Sequence, residues 1–148
     1  MATATVTPPW AYTLQLLQDP RAPGVARSTL RTVLRVHGLA ELTETAELLA
    51  SELVTNAYLH SKGPYSLRLR GAGRQRIRLS VWDTNPHIPA PFSWSAEAPS
   101  VLAEGGRGLY LVTLYAESWG AYLMDSGLPG QGGKLLWVEC AWKPEYER

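Results

Sequence analysis

The stretch Ser51-Glu52-Leu53-Val54-Thr55-Asn56-Ala57-Tyr58-Leu59-His60 sets the reading of the whole chain. Glu52 and Asn56 stand four residues apart, which puts a carboxylate and an amide one turn apart on the same helix face. Leu42, Ala46, Leu49, Leu53 and Ala57 recur at helical spacing through the same region. A helix with that pattern buries its apolar stripe and carries Glu52, Asn56 and His60 along its edge. Thr43 is the expected N-cap, and Glu44 and Glu47 in the opening turns suit the positive end of the helix dipole. Ser61-Lys62-Gly63-Pro64 ends the helix.

Upstream, residues 1–9 are small, polar and proline-ended, and read as a flexible tail. Trp10 to Leu17 alternates weakly, as an edge strand does. A helix from about Pro23 to Val36 sets Ala26, Leu30 and Val33, with His37 beyond, on one side, and Gly38 stops it. Downstream, Tyr65–Arg70 and Arg76–Asp83 alternate cleanly around Gly71-Ala72-Gly73-Arg74, which predicts an antiparallel hairpin. One hairpin face is apolar. The other is a basic stripe of Ser66, Arg68, Arg70, Arg76 and Arg78 beside Trp82, read as a solvated face or a protein-docking surface. Asp83 shares parity with Ile77, Leu79 and Val81, so it points to the apolar side and needs a partner there. A long proline-bearing connection follows, from Thr84 to Glu104, and a connection of that length is more often functional than incidental. A third helix is expected over Gly106–Ala116, a strand over Ser118–Asp125 and an interior strand over Lys134–Trp142. Residues 10–148 thus read as one domain, without repeats.

Composition narrows the class. The chain has 148 residues, 45% hydrophobic and 18% charged, with a net charge of +1. That is ordinary for a globular domain and gives no general attraction to nucleic acid or to an anionic membrane. Cys140 is the single cysteine; it reads as a small core residue and leaves no internal disulfide, which fits a reducing cytoplasm. No apolar run is long enough to span a bilayer, and no secretory leader is recognisable.

Three features carry chemistry. Gly105-Gly106-Arg107-Gly108 precedes the apolar Leu109-Tyr110-Leu111-Val112. Glycines there let the backbone approach an anion, free N–H groups at the helix start favour negative charge, and Arg107 adds a charged contact; a flexible turn before an amphipathic helix is the plain alternative. Asn56 offers a hard amide oxygen suited to Mg²⁺, and Glu52 can accept a proton from an incoming hydroxyl, although a polar pair on a solvated helix face has the same pattern. Asp83 can accept a hydrogen bond from an exocyclic amine, or can simply open the turn Asp83-Thr84-Asn85-Pro86. His60 suits the negative end of a helix dipole.

Taken in order, these segments resemble the GHKL ATPase superfamily, whose catalytic domain is the Bergerat fold of gyrase, histidine kinases and a chaperone family. The likeness spans about Pro23 to Trp142 and is nearest to the anti-sigma-factor serine kinases and the stand-alone ATP-binding regulators of actinobacteria. It implies an α+β two-layer sandwich, with a mostly antiparallel sheet and helices packed on one face. The N box corresponds to Glu52-Leu53-Val54-Thr55-Asn56-Ala57 with His60, implying Glu52 as general base and Asn56 as the Mg²⁺ ligand. The first glycine box corresponds to Val81-Trp82-Asp83, implying Asp83 in adenine recognition. The second corresponds to Gly106-Arg107-Gly108-Leu109, beside Gly105, against the phosphates. The third corresponds to Gly132-Gly133-Lys134.

Two departures stand out. Thr84-Asn85-Pro86-His87 replaces the glycines that often follow the adenine-binding aspartate, which implies a stiffer wall. Leu135 stands where a Thr or Ser hydroxyl is usual, which implies a weaker or drier base contact. The resemblance thus implies an ATP- and Mg²⁺-dependent protein serine/threonine kinase, a homodimer that exchanges a sigma factor for an antagonist protein, with no direct contact to nucleic acid or membrane. A module that sequesters a partner without catalysis is the second reading. The catalytic part of a split histidine kinase is a third, and it requires a phospho-accepting histidine from another chain.

Overall fold

A computed structural model describes residues 9–93, 107–124 and 132–142. Its elements in chain order are β1 (Ala11–Leu16), α1 (Ala22–Val36), a single 3-10 turn (Ala40–Leu42), α2 (Thr43–His60), β2 (Tyr65–Gly71), β3 (Arg76–Asp83), α3 (Arg107–Tyr115), β4 (Ser118–Met124) and β5 (Gly133–Ala141). The five strands form one sheet in the order β1-β2-β3-β5-β4. Every neighbouring pair is antiparallel. The expected α+β sandwich is therefore present, with β1 at an edge and β5 inside the sheet.

Strand register decides which residues meet. Leu14, Leu67, Val81, Leu136 and Ala121 lie in one row across all five strands. Tyr12, Leu69, Leu79, Val138 and Trp119 lie in the next row on the same face. This face is covered by the helices, and Leu67, Leu69, Leu79, Val81, Leu136 and Val138 are all buried. The opposite face carries the basic stripe. There the Arg78 guanidinium lies 4.0 Å from the centroid of the Trp137 ring and donates to Glu139 at 2.8 Å, so part of the stripe is internally neutralised.

The helix α2 is the central support. All five stripe residues are buried, and so are Ala50, Val54 and Asn56. Burial on this second side follows from its position, since α2 packs on α1, on α3 and on strands β2, β3 and β5. Thr43 is the first helical residue and not the cap. The 3-10 turn runs directly into α2, and the Thr43 hydroxyl donates to the Ala40 carbonyl at 2.7 Å. Glu47 binds Arg31 of α1 through both carboxylate oxygens, so it joins two helices where dipole placement alone was expected. Gly38 has a φ of 72°, the left-handed conformation that ends α1 cheaply. His37, at the end of α1, takes a hydrogen bond with the Tyr12 hydroxyl at 2.8 Å and stacks on Trp10.

Residues 1–8 of the expected tail, Gly105 and Gly106, and most of the long connection lie outside the described residues. Leu53 is fully buried near the middle of α2. Leu53→Ala is expected to destabilise the fold by about 2–5 kcal/mol, the usual cost of a large buried cavity. Chemical denaturation of the variant measures it.

Candidate functional site

Helix α2 carries Glu52, Asn56 and His60 in its C-terminal half. Glu52 sits in its third turn, partly buried, and its carboxylate packs directly against the backbone of Gly108 in the first turn of α3. A methyl group on Gly108 would overlap the Glu52 carboxylate. Glycine at this position is thus what admits the acid beside the helix entry. Burial pushes the Glu52 carboxyl above the ordinary glutamate range. A carboxylate raised in this way is a better proton acceptor than an exposed one.

Asn56 follows one turn later and is 9% exposed. Its Oδ1 is buried and has no hydrogen-bond partner among the described residues. Buried amide oxygens are almost always satisfied, and an orphan of this kind marks a place where a ligand, ion or water belongs. Asn56 is thus buried in the fold and does not lie on a solvated helix face. His60, by contrast, is exposed at the last turn.

The end of β3 approaches the same end of α2. The Asn85 side-chain amide donates to the His60 carbonyl at 2.9 Å. Ser61 and Thr84 share a hydroxyl–hydroxyl bond at 3.1 Å. The Asn85 and His87 backbone amides donate to Asp83 Oδ1 at 2.8 Å and to Asn85 Oδ1 at 2.9 Å. Two consecutive Asx turns and a tie to the helix thus stiffen Thr84-Asn85-Pro86-His87, as the missing glycines imply.

Asp83 does face the core, and its side chain is only 2% exposed. The partner that parity demands is Lys134, whose ammonium donates to Asp83 Oδ1 at 2.9 Å and to the Asn85 carbonyl at 3.1 Å. Lys134 is 1% exposed. Register explains the pairing, because Asp83 and Lys134 are directly opposed on β3 and β5. It also corrects the expectation for Leu135. That residue pairs with Trp82 and therefore lies on the sheet face turned away from the helices, so it takes no part in the site. Gly133 is required for the close approach, since a Cβ there would strike the Asp83 carbonyl.

Glu52 therefore meets Gly108, with Asn56 one turn further along α2, and Asp83 stands where the end of β3 is tied to the last turn of α2. Leu109 is buried behind Gly108 as a core residue, so its contribution is to anchor α3. Arg107 begins α3. Sequence reasoning missed Lys134 as a core residue. It also missed the Tyr65 hydroxyl, which is buried without a partner among the described residues and whose pKa is raised first by burial and then by Tyr58. A cleft of about 640 Å³ is at the other end of the sheet, against Trp10, His37, Arg74 and Arg76. Its lining has no carboxylate and shares no residue with this cluster.

The profile of the histidine kinase-like ATPase domain matches residues 16–127, about three quarters of the chain. The chain belongs to this family. Membership fits the fold described above and implies ATP binding. No curated protein matches the chain. Among the described residues no helix is long and apolar enough to cross a membrane.

The raised Glu52 carboxyl has a consequence for stability. Because the folded state holds the Glu52 proton more tightly than the unfolded state, the fold loses stability as pH rises above the ordinary value of 4.5. Glu52→Gln removes that loss. The variant should melt above wild type at pH 7. The difference should vanish as pH falls below 4.5, where both states keep the proton. Thermal melts across the range check it.

Proposed function

We propose that this domain binds ATP with Mg²⁺ and acts as an anti-sigma-type protein serine/threonine kinase, transferring the terminal phosphoryl group to a hydroxyl of an antagonist protein. The observation that carries the reading is the buried, unpartnered Asn56 Oδ1 one turn from a carboxylate that rests on the glycine entry of α3. A hard, uncharged oxygen suits Mg²⁺, which takes few protein ligands and completes its shell with water and phosphate oxygens. Asn56 would hold the metal, which neutralises phosphate charge when bound. Among the described residues no three His, Cys, Asp or Glu side chains form a dedicated metal cluster, and a nucleotide-borne Mg²⁺ needs none.

The remaining roles follow from placement. Gly108, with Gly105, Gly106 and Arg107, would receive the phosphates at the start of α3, where unpaired N–H groups and the helix dipole favour anions. Glu52, beside that entry, accepts the proton of the attacking hydroxyl. Asp83 anchors the adenine. Phosphoryl transfer asks mainly for positioning and charge neutralisation; Glu52 and Asn56 are held by α2, Asp83 by β3 and Gly108 by α3. Family resemblance supports a homodimer, a cytoplasmic setting and a sigma factor as the alternate partner.

A second reading is a regulator that sequesters its partner with little nucleotide turnover. The stiff Asp83–His87 wall, fixed by its own hydrogen bonds, favours it. Calorimetric titration with ATP and Mg²⁺ separates the two readings. Kinase function predicts saturable binding that Asn56→Ala weakens about ten-fold or more, and silence at millimolar nucleotide leaves only sequestration. With the antagonist protein supplied, Glu52→Gln should lower phosphoserine formation by about 10²–10⁴-fold while ATP still binds. Full transfer by that variant removes Glu52 from the role of base.

A further inference from the structure

Asp83 and Lys134 form a buried ion pair at the inner end of the site, and the division of labour between the two carboxylate oxygens is informative. Oδ1 accepts both the Lys134 ammonium at 2.9 Å and the Asn85 backbone amide at 2.8 Å. Among the described residues no group donates to Oδ2. A carboxylate is an acceptor at both oxygens, with about four lone-pair directions, so Oδ1 is tied to the protein while Oδ2 keeps the capacity to accept a further donor. The tie is itself braced. Lys134 also donates to the Asn85 carbonyl at 3.1 Å, and Asn85 donates from its side chain to the His60 carbonyl at 2.9 Å. Strands β3 and β5 and helix α2 therefore all fix the orientation of a single side chain.

We propose that Lys134 is a positioning residue for base recognition: by pairing with Asp83 Oδ1 it holds the carboxylate as a fixed anionic acceptor whose Oδ2 selects a purine carrying a 6-amino donor. This rests on the nucleotide-binding reading above and extends it to a residue beyond the family match, which ends at residue 127. The physical reason is the cost of burying charge. A carboxylate this enclosed is tolerated when an opposite charge and hydrogen bonds compensate it. A carboxyl group without compensation is not a dependable acceptor, because its protonated form is itself a donor. Lys134 supplies the compensation from inside the protein, so Asp83 does not depend on the ligand for its charge balance. The ammonium does not compete with the amine, because the two occupy different oxygens.

The test compares two ligands that differ only at the position Asp83 reads: ATP and purine riboside triphosphate, which lacks the 6-amino group. Their affinity ratio cancels any general loosening of the fold or loss of phosphate contacts. Wild type should prefer ATP by about ten- to a hundred-fold, the usual range for a hydrogen bond to a charged group. In Lys134→Met the ratio should fall to about one to three, with purine riboside triphosphate binding nearly unchanged. A Lys134→Met ratio equal to or above that of wild type overturns the proposal, and a rise would identify Lys134 as a competitor of the amine.

Should the single variant not fold, Asp83→Leu/Lys134→Met replaces the pair by apolar groups, an exchange buried ion pairs often tolerate. It should also show a ratio near one, and a ratio kept at the wild-type value refutes the inference. Wild-type binding of both ligands with equal affinity refutes it while leaving the nucleotide site standing. Failure of folded wild type to bind either triphosphate removes both the site and the inference.

Discussion

The burial of α2 on two sides is the constraint from which the rest of the molecule follows. Most surface helices hide one stripe and leave the other face to water. Here α1 and the sheet take the stripe of Leu42, Ala46, Leu49, Leu53 and Ala57, while Ala50, Val54 and Asn56 are enclosed as well. A polar residue on such a helix is therefore desolvated by the fold itself. Glu52 and Asn56 acquire their character in this way, one with a raised carboxyl pKa and the other with an orphaned oxygen. Alanine and β-branched residues on the second side keep the helix narrow enough for α3 to reach it, and Gly108 completes that approach by offering no side chain against Glu52.

This desolvation carries a local cost. A buried amide oxygen without a partner costs about 1–3 kcal/mol, and a carboxylate held partly out of water adds to that cost. The far end of the sheet carries one such group as well, because Arg76 Nε is buried without a partner among the described residues even though the same guanidinium pairs with Glu117; Tyr12 and His37 there are paired. Groups left unsatisfied in the native state are those a ligand can satisfy. At the α2 end the unsatisfied group is a hard amide oxygen beside a carboxylate, and that chemistry is the reason to place the site there.

The parts legible in the sequence were those governed by short-range periodicity. The α2 stripe and the β2–β3 hairpin have unmixed patterns of period 3.6 and 2, and Gly38 and the Ser61–Pro64 segment punctuate them. Parity alone placed Asp83 on the core side and stated that it needed a partner. The partner was not legible, for two physical reasons. Strand β5 is apolar on both faces, so alternation does not say which of Lys134 and Leu135 points inward. Lysine is also seldom fully buried, and an isolated lysine at a strand start reads as surface. The one available signal was that Asp83 ends β3 while Lys134 begins the strand expected inside the sheet; antiparallel pairing would bring those ends together. Thr43 shows the complementary failure. Its residue type suits a helix cap, but the preceding 3-10 turn already supplies helical geometry, so the hydroxyl turns back to Ala40.

That register links the two halves of the proposed site. The side proposed for phosphate and metal is built from α2 and the start of α3, both inside the span shared with the histidine kinase-like ATPase family. The side proposed for the base depends on β5, which lies beyond that span. Shifting β5 by one residue against β3 would exchange Lys134 for Leu135 on the helix face and strand Asp83 without a counter-charge. The same slip would turn Leu136, Val138 and Cys140 outward and place Trp137 and Glu139 in the core. Core packing therefore fixes the position of the ammonium far more strongly than the ion pair could by itself. Cys140 lies in the same inward-facing row that delivers Lys134 to Asp83, and its burial there pushes the thiol up to about 12.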